Sequence, residues 1–138
     1  MKIAFLMDPL ETVKPYKDTT YFIMLGAQER GHQVYFFQNR DLYFQSQSVF
    51  AVLTELKVSA DHAQPFQRLN TASTDLAEMD VIFVRTDPPF DRRYFYATLL
   101  LDLLPASTRV LNRPSALRDW NEKLSSFFYT AFTPDSLV

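Results

Sequence analysis

The sequence predicts an α/β domain: a Rossmann-like, three-layer arrangement around a mostly parallel sheet. Three observations predict it. The runs at residues 3–7, 34–37 and 81–84 are continuously apolar, without the in–out alternation of a half-solvated strand, so they read as strands covered on both faces. A helical pattern closed by a glycine stands between the first two, which is the order of a βαβ unit. The length of 138 residues, with 47% hydrophobic and 22% charged residues, suits a single domain over residues 1–138.

Taken in order, the first strand covers residues 2–7 and stops at Asp8 and Pro9. Over residues 18–30, Tyr21, Phe22, Met24, Leu25 and Ala27 fall at helical spacing, with Asp18 or Thr19 as the N-cap and Gly31 as the left-handed stop. Residues 34–37 form the second strand. Residues 41–44 and 49–58 are strand-prone on either side of Ser46, Gln47 and Ser48, which predicts a hairpin. Residues 62–73 are polar and are expected to be a surface loop. The strand at 80–84 leads into Arg85-Thr86-Asp87-Pro88-Pro89-Phe90-Asp91, and Asp91 is expected to cap a helix whose apolar face carries Phe95, Leu99, Leu100 and Leu103. Residues 109–111 make the last strand. Two short helices follow, one from Ser115 and one opening at Asp119 on the capping-box pattern Asp119-Trp120-Asn121-Glu122 and running to about Phe132.

Composition removes several kinds of function. A net charge of -2 and an isoelectric point near 5.6 argue against a nucleic-acid partner. Without cysteine there is no thiol nucleophile, disulfide or thiolate metal site. His32 and His62 lack the spacing of metal ligands, so no metal site is expected, and Ser125 and Ser126 have no neighbouring base. Gly26 and Gly31 are the two glycines, too few for a dinucleotide turn or a P-loop. The longest apolar tract, residues 94–104, is interrupted by Thr98 and Asp102, so no membrane span is expected. The short first strand is not a signal-peptide core, and a cytoplasmic location is the expectation.

Right-handed crossovers place the second strand on one side of the first and the 80–84 strand on the other. Ligands of such sheets bind beyond the carboxyl ends of the strands, where the order switches. Asp8 and Pro9 leave one of those strands, and Arg85 to Pro89 leave its neighbour. A guanidinium at Arg85 offers a planar fork to a carboxylate or phosphate; the alternative is an ion pair with Asp87 or Asp8 that stiffens the loop. Asp8 reads equally as a turn-forming acid. The proline pair shapes the loop, and Asp91 reads as a helix cap. Lys123, early in the last helix, is either a solvated lysine or a point charge for phosphate.

Read together, these residues resemble the amino-terminal domain of bacterial glutathione synthetase. The matching blocks are Met7-Asp8-Pro9-Leu10, Lys17-Asp18-Thr19, Ala27-Gln28-Glu29-Arg30-Gly31-His32, Arg85-Thr86-Asp87-Pro88-Pro89-Phe90-Asp91, Asn112-Arg113-Pro114-Ser115-Ala116-Leu117-Arg118-Asp119 and Asn121-Glu122-Lys123-Leu124. The resemblance implies a pre-ATP-grasp domain of an ATP-dependent carboxylate–amine ligase. Its reaction joins γ-glutamylcysteine to glycine with ATP and magnesium, yielding glutathione, ADP and phosphate. It implies that Arg85, with Asp8, Pro9 and Asp87 beside it, helps bind the dipeptide, and that Lys123 reaches the nucleotide phosphates. Thr19 and Thr20 stand where the family commonly has serines, and Trp120 is bulkier than the family pattern. The family's ATP-grasp domains, with their glycine-rich lid and acidic magnesium ligands, are absent from this chain, so no catalytic residue, ATP or metal is expected here and the chain alone is expected to be inactive. The alternatives are a stand-alone domain that captures a small carboxylate, or an oligomerisation scaffold that brings copies of the chain into a homo-oligomer.

Overall fold

A computed structural model describes residues 1–87, 89–120 and 124–135. Among them, seven strands form one sheet: β1 (Lys2–Leu6), β2 (Gln33–Phe37), β3 (Leu42–Gln45), β4 (Ser48–Val58), β5 (Phe66–Asp75), β6 (Val81–Val84) and β7 (Arg109–Leu111). The order is β3-β4-β2-β1-β6-β7, with β5 paired to β4 off this path. β1 is parallel to β2 and to β6, and β6 is parallel to β7. β4 runs antiparallel to β2, β3 and β5. All of the antiparallel pairings therefore belong to β4, and the other strands share one direction.

The helices are α1 (Thr19–Glu29), α2 (Arg92–Leu101) and α3 (Pro114–Asp119). The β1-α1-β2 crossover moves to one side of β1, and β6-α2-β7 moves to the other. With the same hand for both, α1 and α2 must cover opposite faces. The side chains agree. Ile3, Phe5 and Met7 point toward Tyr21, Met24 and Ala27 of α1, while Ala4, Leu6, Ile82 and Val84 meet Ala97 and Leu101 of α2. β1 is thus buried on both faces, which is why its sequence runs apolar without alternation.

The hairpin forms as expected. Gln45 pairs with Ser48, leaving a two-residue loop in which Ser46 and Gln47 take φ of 49° and 65°. These signs belong to a primed turn, whose twist matches that of the flanking strands. Gly31, at φ 77°, ends α1 in the left-handed conformation, and Asp18 accepts from the Tyr21 amide at 3.0 Å as its N-cap.

Three expectations are corrected. Residues 62–73 are not all loop, because β5 occupies Phe66–Asp75 and pairs with β4 along its length. It is an edge strand with most positions exposed, so no buried face leaves its mark on the sequence. α2 buries Ala97, Thr98 and Leu101, whereas Phe95, Leu99 and Leu103 stay exposed. Two of the three buried residues are small, so side-chain size does not mark the buried face of this helix. Asp119 is the last residue of α3 and Trp120 its C-cap, while Asn121, Glu122 and Lys123 of the expected capping-box helix lie outside the described residues. The segment Ser125–Phe132 is 3-10 in character, with Leu124 at its N-cap and no side-chain cap.

Candidate functional site

The chain leaves the end of β1 toward β2, while β6 arrives on the opposite flank, so the loops after β1 and β6 part at their carboxyl ends. Backbone pairing continues just past the strands. The Met7 amide donates to Phe37 O at 3.1 Å and the Arg85 amide to Leu6 O at 2.7 Å. This fixes Asp8 and Arg85 on the same rim. Between them lies an open cavity of about 390 Å³, lined by Met7 and Asp8, by Thr12, Val13, Lys14 and Lys17 of the β1–α1 loop, by Asp18, Thr19 and Thr20 at the start of α1, and by Arg85 and Asp87.

Arg85 is oriented by a neutral partner. Its Nε donates to Thr20 Oγ1 at 3.0 Å, across 65 positions of sequence, and Thr20 itself is 5% exposed. Among the described residues no carboxylate lies within ion-pair distance of this guanidinium. Its outer nitrogens are left to meet a planar acceptor in the cavity. Of the carboxylates lining the cavity, those of Asp8 and Asp18 are engaged with backbone. Asp8 Oδ2 accepts from the Asp87 amide at 2.8 Å, which ties the β1 loop to the β6 loop, and Asp18 is committed to its cap. Lys14, Lys17 and Arg85 therefore supply the cationic side of the crevice.

The β1–α1 loop is braced in its first half. The Thr12 amide and hydroxyl both donate to Pro9 O, at 2.9 and 2.7 Å. Glu11 accepts from Arg68 of β5 at 2.5 Å, and that hydrogen bond holds the Glu11 carboxyl below its ordinary range. Pro9 sits at the N-cap of this short turn, and its contribution is the carbonyl that accepts from Thr12. Asp8 and Asp87 also line a second cavity, about 310 Å³, together with Arg40 and Arg93. They form a partition between the two spaces. Asp91 caps α2, accepting from the Tyr94 amide at 2.9 Å. Lys123 and Pro88 lie outside the described residues. Among the described residues, no three His, Cys, Asp or Glu side chains come together as a metal site would require.

The family described as prokaryotic glutathione synthetase, N-terminal domain, matches residues 1–118. This chain belongs to that family. It is similar along its whole length to the glutathione synthetases of Coxiella burnetii, at 35% identity, Shewanella oneidensis, at 34%, and Pseudomonas syringae pv. tomato, at 37%. It spans 43% of the first of these relatives and 44% of the other two.

Within this N-terminal domain, reasoning from strand order reached Asp8, Arg85 and Asp87 because the rim position follows from topology alone. It missed Thr20, Lys14 and Lys17 as lining residues. Thr20 carries no signal in sequence, since only the fold brings it to Arg85. Lys14 and Lys17 carry a signal in their place in the chain, since both belong to the loop that leaves β1 at this rim.

Proposed function

We infer that the crevice between Asp8 and Arg85 holds γ-glutamylcysteine in a glutathione synthetase, with this chain as the substrate-side domain of that ligase. The family membership supports this reading, in which the dipeptide carboxylate is joined to the amine of glycine at the expense of ATP. One observation carries the assignment of the site: a guanidinium oriented by Thr20, free of any described carboxylate, facing an open cavity of about 390 Å³ with two lysines opposite. A dipeptide with two carboxylates and one ammonium group matches that mixture of three cations and backbone-engaged acids. Arg85 takes a carboxylate bidentately, and Asp8 and Asp87 are the acceptors within reach of an ammonium.

ATP and magnesium fit none of the described residues. No acidic cluster is present among them, and two glycines cannot form a phosphate cradle. In this reading they belong to the part of the enzyme that the relatives carry in addition, to which Lys123 adds a phosphate contact. The assembled enzyme is assigned to the cytoplasm; among the described residues no helix is long and apolar enough to cross a membrane.

The test is a titration of the chain with γ-glutamylcysteine followed by NMR. Millimolar dipeptide is expected to move the Arg85 and Thr20 resonances in a saturable way, and Arg85→Ala is expected to abolish the effect. Equal shifts with glycine alone, or shifts that survive in Arg85→Ala, would reject the assignment.

A further inference from the structure

β7 ends the sheet on its side and pairs with β6 alone among the described strands. The Arg109 amide donates to Asp80 O at 3.0 Å, toward β6. Main-chain groups of successive residues face opposite neighbours along a parallel strand, so the amide and carbonyl of Val110 turn away from β6. An open edge of this kind is a template for one more strand. Beside it lies a groove of about 580 Å³, bounded by the carboxyl end of α2, the loop that leads to β7, and the start of α3. Leu101, Leu104, Val110 and Pro114 supply its apolar lining, and the Val110 side chain packs into the core on the α2 face.

Charge narrows what can lie there. Arg109 opens β7 and Arg113 stands just beyond its end, both exposed and both lining the groove. Among the described residues neither has a carboxylate within ion-pair distance. Asp102, the acid in the lining, is already paired with Arg118. The groove therefore presents two unopposed cations, an apolar lining and one free main-chain donor and acceptor. A small anion would use the arginines and leave the Val110 groups unmet.

The geometry points to an extended acidic segment of a partner protein, docked along the β7 edge as an added strand. Main-chain bonds to Val110 set its register, an apolar side chain enters the groove, and acidic side chains on either side of it meet Arg109 and Arg113. Charged residues on an edge also repel chance pairing, but repulsion alone calls for no apolar groove beside the strand. β5 is the contrasting edge: its Arg68 is already paired with Glu11 of the same chain.

The experiment is a titration of the chain with a short blocked peptide of valines flanked by glutamates, followed by NMR and amide hydrogen exchange. Saturable binding is expected with a Kd on the order of 100 µM, and none with lysines in place of the glutamates. Arg109→Glu and Arg113→Glu are each expected to weaken binding about tenfold, with an unchanged circular dichroism spectrum. At saturation the Val110 amide is expected to exchange at least about tenfold more slowly, while the Arg109 amide, already bonded to Asp80, stays as it was. No binding at millimolar peptide, equal binding of the lysine peptide, or charge reversals without effect overturns the proposal. So does a Val110 amide that exchanges as fast in the complex, or protection that falls on β5 instead.

Discussion

Thr20→Val isolates the device that aims Arg85. Valine keeps the shape of threonine in a site that is 5% exposed, so packing is preserved while the acceptor for Arg85 Nε is lost. A hydrogen bond with a charged partner contributes about 1.5–3 kcal/mol when well buried, and the exposed Arg85 recovers part of that from water, which leaves about 1 kcal/mol. For folding, this corresponds to a fall of less than about 4 °C in Tm. For binding, a guanidinium that must be re-immobilised costs a similar amount, which is about a fivefold loss of affinity for γ-glutamylcysteine. Calorimetry on wild type, Thr20→Val, Arg85→Ala and the double variant measures both residues and their coupling. If Thr20 acts through Arg85, the double variant binds no more weakly than Arg85→Ala. Additive losses in the double variant, or a Thr20→Val protein with wild-type affinity beside a weakened Arg85→Ala, would refute the reasoning.

The other expectations concern the frame of the crevice. Asp18→Ala removes the N-cap of α1 and is expected to cost about 1 kcal/mol in urea denaturation, with a fall in dipeptide affinity because Thr19 and Thr20 form the first turn of that helix. Leu6→Ala, in a central strand at 1% exposure, is expected to cost about 2–5 kcal/mol, against less than about 0.5 kcal/mol for Leu69→Ala on exposed β5. The Glu11–Arg68 pair is expected to show in acid. The folded carboxyl titrates below its ordinary value of 4.5, so its stabilisation is complete above that value and is lost as pH falls through the depressed one. Arg68→Ala should therefore lose stability at neutral pH and converge on the wild type in acid. Because both partners are exposed, added salt should shrink the difference.

Much of the architecture was legible because burial on both faces leaves a strong mark. β1, β2 and β6 are short apolar runs, and their order follows once a common hand is imposed on the crossovers. α2 defeated the same reasoning because both sides of the helix are apolar. Phe95, Leu99 and Leu103 outweigh Ala97 and Thr98 in a hydrophobicity pattern, yet it is Ala97, with Leu101, that packs in one cluster with Leu6 and Val84. β5 was illegible for the opposite reason, since an edge strand held by main-chain bonds to β4 asks little of its side chains. At the crevice, the position of Arg85 could be read from chain order, but its orientation could not. The Thr20 hydroxyl joins it only after α1 has packed on β1 and β6.

The crevice also uses an unusual economy for an α/β rim. In many such folds an anion rests on the free amides of a helix N-terminus or on a glycine-rich turn. Here Asp18 already places a carboxylate of the chain itself at that end of α1, and Gly26 and Gly31 both lie far from the rim loops. If the crevice holds the dipeptide as proposed, recognition of its carboxylates comes from side chains, and side chains need to be aimed. Thr20 fixes Arg85, the Asp8–Asp87 bond fixes the two loops relative to each other, and Glu11 with Arg68 braces the segment that carries Lys14 and Lys17. A site built this way loses affinity when a supporting bond is removed even though no ligand contact has been touched. That sensitivity separates it from a backbone cradle, where substitutions of this kind leave binding intact.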